Sequence, residues 1–248
     1  MLKTIQILGF SAGIPTKNRG TSCTIISTIK YHIMIDCGEG SYLRWHNAKY
    51  KWENLKYIII THLHPDHIGG LISLLFYRKI YGIKQTLTLI GPNSLKKYIL
   101  EYFKISQTKH KQALIWKDIS IDRNLILDDN IYLKSLPMKH KIPCWGYQLK
   151  DTNKKIVFIT DTLPNSNTIK LAKNCDVLIH EATFPHKMHE LSKKCFHTTI
   201  NQAIKIAEKS NVKKLILTHF DPSITDEELN QFTWNNTKCV VFDKKILL

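Results

Sequence analysis

The sequence lacks a Cys-x-x-Cys pair, a long apolar run and a large share of acidic residues. Without a Cys-x-x-Cys pair, neither a zinc ribbon nor a thioredoxin-type motif is expected. The longest apolar stretch, residues 68–77, stops at Arg78 and is too short to span a bilayer. A chain of 248 residues does not need disulfides, so the six cysteines predict reduced, mostly buried thiols and a cytoplasmic protein.

Acidic residues are outnumbered by basic ones. Asp and Glu total 20 against 36 Lys and Arg, which gives a formal net charge of +16. Such an excess attracts polyanions such as nucleic acids over long range, and their binding releases counterions. A lysine-rich composition with scattered, solvated side chains gives the same total, so charge alone leaves both interpretations open.

No short-period repeat or low-complexity linker interrupts the chain, so we expect a single domain over residues 1–248. Strand and helix patterns alternate in the first half, and the second half repeats the theme. Two strand-rich halves, each closed by helices, predict an α/β (α+β) fold. In this fold two mixed β-sheets pack face to face with helices outside, as an αββα sandwich.

The individual elements follow from hydrophobic periodicity. The predicted strands cover residues 4–8, 23–28, 31–35, 57–60, 86–90, 131–136, 145–149, 156–159, 177–179 and 214–217. The predicted helices cover residues 41–49, 68–81, 94–103, 168–172, 198–209 and 226–232.

The most distinctive pattern is His62-Leu63-His64-Pro65-Asp66-His67, directly after the apolar run 57–60. A strand that ends in three imidazoles and one carboxylate delivers them to the edge of a sheet, where an open metal site can form. Nitrogen and carboxylate oxygen donors favour zinc, with Mn²⁺ and Fe²⁺ as alternatives. A solvent-facing, histidine-rich loop is the competing interpretation.

Three further candidate ligands, His140, Asp161 and His219, each follow a later predicted strand. Strand ends on one edge of a sheet converge, so these side chains can meet the first cluster. Each of them taken singly is more often an ordinary polar residue, so the joint pattern carries the prediction. The full set is His62, His64, Asp66, His67, His140, Asp161 and His219. Seven donors exceed the needs of one tetrahedral ion and suit two ions about 3.5–4 Å apart that share a carboxylate.

With these residues the chain resembles the metallo-β-lactamase superfamily and, within it, the ribonuclease Z family of tRNA 3′-processing endonucleases. The His-x-His-x-Asp-His motif marks the superfamily only. Motifs closer to ribonuclease Z occur along nearly the whole chain. They are Gly13-Ile14-Pro15-Thr16-Lys17-Asn18-Arg19, Asp36-Cys37-Gly38-Glu39-Gly40, His140 with Gly146-Tyr147, His180-Glu181-Ala182-Thr183-Phe184, His197-Thr198-Thr199 and Leu217-Thr218-His219-Phe220.

The resemblance implies two zinc ions per chain. One ion would be held by His62, His64 and His140, the other by Asp66, His67 and His219, and Asp161 would bridge them. The resemblance also implies precursor tRNA as the substrate and a homodimer in which one subunit grips the RNA and the other cuts it.

Asp66, Glu181 and His197 are candidate catalytic residues. Asp66 can accept a proton from the attacking water, or it serves as a ligand only. A carboxylate fixes the tautomer of the imidazole it contacts, and the resemblance assigns Glu181 and His197 to protonation of the leaving 3′-oxygen. The competing interpretation makes His197 the cap of a helix that starts at Thr198. Asp36 would either orient a ligand histidine or act as a turn residue.

Pro15, Lys17 and Arg19 lie on a loop with several glycines and are candidate substrate-binding residues. Glycines let backbone amides approach a phosphate closely, and Lys and Arg supply positive charge. The spacing is not G-x-G-x-x-G, so no dinucleotide-binding fold is implied. A solvated loop is the alternative interpretation.

The sequence departs from the ribonuclease Z pattern between Tyr147 and Ile156, where the family has a protruding arm that grips tRNA. Only residues 148–155 lie there, which predicts a tight hairpin instead. We therefore predict a zinc-dependent phosphodiester hydrolase, an endoribonuclease that removes 3′ trailers from tRNA precursors. The alternative is a dizinc phosphodiesterase that acts on small or cyclic substrates.

Overall fold

Strands and helices alternate along the chain, and their bounds follow the apolar runs of the sequence. The computed structural model describes residues 1–108, 113–234, 237–239 and 244–248. The strands are β1 (Leu2–Gly9), β2 (Cys23–Thr28), β3 (His32–Ile35), β4 (Leu55–Ile59), β5 (Leu87–Gly91), β6 (Leu114–Asp118), β7 (Asn124–Leu127), β8 (Ile131–Pro137), β9 (Trp145–Lys150), β10 (Lys155–Ile159), β11 (Val177–Glu181), β12 (Lys214–Thr218), β13 (Thr233–Trp234), β14 (Thr237–Lys238) and β15 (Ile246–Leu247). The helices are α1 (Ser41–Asn47), α2 (Pro65–Ile68), α3 (Leu71–Ile80), α4 (Asn93–Ile105), α5 (Ser166–Ala172), α6 (His189–Lys194), α7 (Ile200–Lys209) and α8 (Asp226–Leu229).

The first sheet has the strand order β15-β1-β2-β3-β4-β5-β6. Its strands are antiparallel from β1 to β3 and parallel from β3 to β6. Parallel strands are normally covered on both faces, and β4 shows why. Ile59 enters the core shared with the second sheet, whereas Ile58 packs under α1, α3 and α4.

The second sheet has the order β12-β11-β10-β9-β8-β7. It is antiparallel from β7 to β10 and parallel from β10 to β12. Its outer face is covered by α5 and α7, whose Leu171, Ala203 and Ile206 join the core. The prediction of an αββα sandwich of two mixed sheets is therefore confirmed.

The strands β6, β7, β13, β14 and β15 and the helix α6 were not predicted from the sequence, and some helix boundaries differ. β6 and β7 were not expected, because β6 is an edge strand whose residues are only half-buried or exposed and β7 has only 4 residues. The helix predicted over 226–232 ends at Leu229, where the chain turns toward the short strand β13.

The helix predicted over 68–81 is two helices, α2 and α3, which separate at Gly69 and Gly70. A β-carbon on Gly70 would collide with the carbonyl of Gly38, so only glycine fits at this position. The break leaves α2 as a single turn that carries part of the His-rich motif.

The predicted tight hairpin joins β9 to β10 and is closed by Asp151. Its Oδ1 accepts the amides of Asn153 and Lys154, both at 2.8 Å, and its Oδ2 accepts the amide of Leu2 at 2.7 Å. The turn is thus anchored to β1 and carries no protruding segment. Within the described ranges, no helix has the length and apolarity needed to cross a membrane.

Candidate metal centre

The His-rich motif leaves the end of β4 and folds back into α2. Pro65 occupies the first turn of α2, which sets the chain direction, and Asp66 and His67 follow on the same turn. The amide of Trp145, at the start of β9, donates to the carbonyl of Thr61 at 3.1 Å. This bond joins the two sheets directly beside the motif.

The other predicted ligands follow strand ends at the same edge. Asp161 comes after β10 and His219 after β12, both with left-handed backbone at φ 43° and 58°. Asp36, after β3, has φ 58°. Left-handed φ is unfavourable for residues other than glycine, and such strain clusters at functional sites. Here it turns three side chains toward one point.

The first group of donors consists of His62, His64, His140 and Asp161. Nδ1 of His64 lies 3.0 Å from Nε2 of His62 and 3.1 Å from Nε2 of His140. Oδ2 of Asp161 lies 3.4 Å from Nε2 of His62 and 3.7 Å from Nε2 of His140.

The second group consists of Asp66, His67 and His219, with the other oxygen of Asp161 beside it. Nε2 of His219 lies 3.1 Å from Oδ2 of Asp66 and 3.2 Å from Nε2 of His67. Oδ1 of Asp161 lies 3.3 Å from both imidazole nitrogens. Asp161 therefore faces one group with each of its oxygens.

These distances fit metal coordination. A tetrahedral zinc ion with donors at about 2.0–2.1 Å places neighbouring donors roughly 3.3–3.4 Å apart. The separations in both groups, between 3.0 and 3.7 Å, scatter around that value. Several imidazole nitrogens also face one another directly, which neutral rings tolerate poorly unless a cation lies between them. The structure thus brings all seven predicted ligands together in an arrangement that could hold metal ions.

Four of the candidate imidazoles, those of His62, His67, His140 and His219, are held at the nitrogen that faces away from the other donors. Nδ1 of His67 lies 2.7 Å from Oδ2 of the fully buried Asp36, which also accepts the amide of Thr61 at 2.8 Å. Nδ1 of His140 lies 3.2 Å from the carbonyl of Phe196. Such partners fix ring orientation and raise ligand basicity. Asp36 therefore contacts a predicted ligand directly and is more than a turn residue.

Neighbouring charges outweigh the effect of burial on the pKa values of two site residues, His67 and Asp161. Burial disfavours charge on His67, but the carboxylates of Asp161, Asp36 and Asp66 outweigh it and hold its pKa well above the usual value. Burial likewise disfavours charge on Asp161, yet nearby imidazoles, with His219 first, hold its pKa well below the usual value. The Asp161 carboxylate therefore remains ionised and favours positive charge beside it.

Three imidazoles behave differently. Burial lowers the pKa of His62, His64 and His140 and so favours the neutral form of each ring. Neutral imidazole is the form that binds a metal ion, so the first donor group suits a cation without prior loss of protons.

His197 and Glu181 form a hydrogen-bonded pair beside the donors. Nδ1 of His197 lies 3.1 Å from Oε2 of Glu181, and the imidazole rings of His140 and His219 are 5.3 and 5.4 Å away. Burial disfavours charge on His197, but the Glu181 carboxylate outweighs it and raises the pKa of His197 to about 9. The ring is 14% exposed, so one edge stays open to solvent.

The pair is held by backbone amides rather than by a helix cap. Glu181 accepts the amides of Thr162 at 2.5 Å and Thr198 at 3.1 Å. The cap of α7 is Thr199, whose side chain and that of Gln202 form a reciprocal capping box. The alternative in which His197 caps this helix is therefore wrong.

Two contacts of the site were not predicted from the sequence. The Thr183 hydroxyl lies 2.5 Å from Glu181 and 3.0 Å from Nδ1 of His219, so it connects the pair with the second donor group. The amide of Gly13 donates to Oδ2 of Asp66 at 2.8 Å. Both residues stand inside motifs that resemble ribonuclease Z. The residue type alone does not indicate that a threonine hydroxyl links two groups or that a backbone amide binds a carboxylate.

The loop with the predicted substrate-binding residues borders the site, but these residues differ in their exposure to solvent. Pro15 and Lys17 are exposed, so both stay available to a ligand. Arg19 is only 5% exposed, with Nε 3.0 Å from Oδ1 of Asp226 and Nη2 bonded to the carbonyl of Ile224. This placement contradicts the expectation that Arg19 grips substrate, because its guanidinium holds the loop against Ile224 and against Asp226 at the start of α8.

Comparison with known proteins identifies the family. A model described as "Beta-lactamase superfamily domain" matches residues 31–220. Ribonuclease Z of Macrococcus caseolyticus is 30% identical over 294 residues, with 96% of each protein covered. The chain belongs to the ribonuclease Z family of the metallo-β-lactamase superfamily.

Further ribonuclease Z relatives agree. Ribonuclease BN of Proteus mirabilis is 29% identical over 277 residues, which cover 90% of this chain and 91% of that protein. The crystal structure of human tRNase Z, short form, has a TM-score of 0.78 at 26% identity over 88% of this chain and 93% of that one. The metallo-beta-lactamase fold protein YhfI of Bacillus subtilis shares the fold, with a TM-score of 0.77 at 21% identity over 92% and 89% of the two chains.

Proposed function

We propose that this chain is a zinc-dependent phosphodiester hydrolase, an endoribonuclease that removes 3′ trailers from tRNA precursors. The observation that carries the proposal is the pair of donor groups that share Asp161, with the His197–Glu181 pair beside them. The ribonuclease Z relatives and the net charge of +16 support RNA as the substrate. We further propose a single domain over residues 1–248 that is located in the cytoplasm. The reducing environment there keeps thiols such as the six free cysteines unoxidised.

The donor groups would hold two zinc ions. His62, His64 and His140 would bind one ion, and Asp161 would bridge it to the ion at the second group. Bound zinc lowers the pKa of water and polarises a phosphoryl oxygen, which is the chemistry that phosphodiester hydrolysis requires.

In this proposal Asp66 accepts the proton of the attacking water. Its contacts with Gly13, His67 and His219 all use Oδ2. Among the described residues no hydrogen bond reaches Oδ1, so this oxygen remains for the water. The nearby imidazoles hold the pKa of Asp66 well below its usual value against the effect of burial, which keeps it ionised.

In this proposal His197 protonates the leaving 3′-oxygen. Glu181 holds Nδ1, so Nε2 is the nitrogen that points away from the pair and can give up a proton. Glu181 is fully buried and anchored by amides, which fixes the direction of the ring.

The outer face of α1, α3 and α4 supports a homodimer. Large apolar side chains are exposed there, including Leu43 at 62%, Ile80 at 64% and Ile105 at 75%. Tyr42 of α1 and Tyr77 of α3 stack with ring centroids 3.7 Å apart, so α1 and α3 adjoin at this face. Contiguous exposed apolar surface is typical of protein interfaces. Leu43→Glu with Ile80→Glu should convert a dimer to monomers in sedimentation experiments.

The alternative substrate is a small or cyclic phosphodiester. The short hairpin closed by Asp151 favours it, because the hairpin offers no extension to hold an RNA body. The alignment with the Macrococcus relative, 294 residues long, also exceeds this chain of 248, so the relative contains insertions that this chain lacks.

A paired assay tests the proposal. Purified, metal-replete protein is given a 3′-extended tRNA precursor and, separately, bis-p-nitrophenyl phosphate. We expect both to be hydrolysed, with the precursor cut after its discriminator nucleotide. Hydrolysis of the small ester alone would reject the endoribonuclease and support the alternative.

A further inference from the structure

A cationic segment lies directly before His197 in the chain. It comprises residues 186–194, of which Lys187, Lys193 and Lys194 are exposed lysines. Glu190 is the only acidic residue in the segment. A run of lysines in a basic protein is usually a solvated surface, so its relation to the site decides whether it has a role.

Hydrogen bonds fix this segment to the site. The amide of His197 donates to the carbonyl of Ser192 at 2.9 Å, and the Ser192 hydroxyl donates to the carbonyl of His197 at 2.7 Å. Phe196, between them, has left-handed φ of 62° and places its carbonyl 3.2 Å from Nδ1 of His140. The backbone that carries Lys193 and Lys194 therefore has a set position relative to two site imidazoles.

A second lysine pair borders the same side of the site. Lys139 and Lys141 flank His140, and both are exposed. The backbone of Lys139 is held on both sides, because its amide donates to Oγ1 of Thr162 at 3.0 Å and its carbonyl accepts the amide of Leu163 at 2.9 Å. Hydrogen bonds thus hold the two lysine-bearing segments, residues 139–141 and 186–194, in place beside His140 and His197.

The direction of the reaction decides which RNA meets these lysines. The water oxygen bonds to phosphorus as the bond from phosphorus to the 3′-oxygen breaks, and the phosphate stays on the trailer. Asp66 takes a proton from the water, and His197 gives one to the 3′-oxygen. Attacking and leaving oxygens lie on opposite sides of phosphorus. The RNA that ends in the 3′-oxygen, which is the tRNA body, therefore lies on the His197 side.

We propose that Lys193 and Lys194, together with Lys139 and Lys141, bind backbone phosphates of the tRNA body on the 5′ side of the cleaved bond. These lysines provide contacts that the short β9–β10 hairpin does not. The exposed Lys17 belongs to the opposite side, because its loop reaches the site at Asp66 through the amide of Gly13. This inference rests on the proposed function and assigns a polarity to the RNA across the site.

Equilibrium binding by the metal-loaded protein tests the polarity with two probes. One probe is a tRNA that ends at its discriminator nucleotide with a 3′-hydroxyl, and the other is a single-stranded trailer RNA with a 5′-phosphate. The variant is Lys193→Gln with Lys194→Gln. Its matched control is Lys205→Gln with Lys209→Gln, which removes two exposed lysines from the neighbouring helix α7. Binding is measured by fluorescence anisotropy across a range of salt concentrations.

We expect the α6 variant to weaken tRNA binding and to reduce its log–log salt slope by about 1.4 to 1.8, the value for two phosphate contacts. Trailer binding and hydrolysis of bis-p-nitrophenyl phosphate should not change. Lys17→Ala should show the reverse preference between the probes, and the α7 control should bind both as the unmodified chain does.

An unchanged tRNA slope, an equal loss in the α7 control, or a loss on the trailer probe alone would each overturn the inference. The cleavage assay on the unmodified chain stays separate. A chain that cuts precursor tRNA but whose α6 variant binds normally keeps the proposed function and loses only this assignment.

Discussion

The two sheets contribute to the metal centre in different ways. The first sheet supplies His62, His64, Asp66 and His67 from one loop and a single helical turn after β4, so these donors are close in the sequence. The second sheet supplies three donors from three separate strand ends, and only the assembled sheet brings them together. Among the residues that the structure describes, Asp161 is the one that faces both donor groups. The site therefore depends on the contact between sheets, and substitutions should have effects that scale with how many groups they disturb.

The largest effect is expected at Asp161. Asp161→Ala removes the donor shared by both groups, so both metal ions should be lost together and RNA cleavage should be abolished. Elemental analysis of metal-replete protein measures the ions, and circular dichroism checks the fold. His219→Ala is the matched control, since it removes a donor of one group and should mainly weaken one ion. Loss of a single ion in Asp161→Ala would contradict a shared carboxylate.

The next effect concerns the His197–Glu181 pair, which serves proton transfer rather than metal binding in this account. His197→Ala should keep the metal content and slow RNA cleavage by about 10²–10⁴-fold, the usual contribution of a general acid. The loss should be much smaller for bis-p-nitrophenyl phosphate, whose leaving group needs no proton. Equal losses on the two substrates would point to a structural role for His197.

A smaller effect is expected where the first sheet orients its own ligand. Asp36→Asn keeps the shape of the side chain but weakens its contact with Nδ1 of His67. The affinity for one ion should fall by about 10–100-fold, the usual effect of losing such a partner. Competition with a chelator measures the affinity. Unchanged affinity for both ions would mean that Asp36 only shapes the turn after β3.

The smallest effects separate two cations of the loop before β2. Arg19→Ala removes the buried contacts of the guanidinium with Asp226 and with the carbonyl of Ile224 and should lower the free energy of unfolding by about 1–3 kcal/mol, seen in denaturant titration. Lys17→Ala should leave stability unchanged and raise KM for precursor tRNA in a salt-dependent manner. A stable Arg19→Ala protein with weakened RNA binding would return Arg19 to the substrate-binding residues.

The extent of sequence-based prediction follows the same division between the sheets. The motif at residues 62–67 predicts a metal site by itself, because its donors are neighbours in the chain. Grouping it with His140, Asp161 and His219 required the assumption that strand ends meet at one edge. The left-handed backbone at Asp161 and His219, which aims their side chains, leaves no signal in residue type.

Pairing preferences of charged side chains were the hardest to predict. Arg19 and Lys17 stand two residues apart on one loop, yet the first is buried against Asp226 and the second is exposed. The segment that pairs with Arg19 lies 205 residues further along the chain, and only the fold brings it near. The short edge strands β6 and β7 escaped prediction for a related reason, since their residues form no continuous buried face.

The most direct test of the central claim is a zinc titration of metal-depleted protein, followed by cleavage of a 3′-extended tRNA precursor mapped to the nucleotide. The account predicts that cleavage after the discriminator nucleotide reaches its maximum when two ions are bound per chain. Full activity with one ion bound, or the absence of any cut in the precursor at two ions per chain, would contradict it.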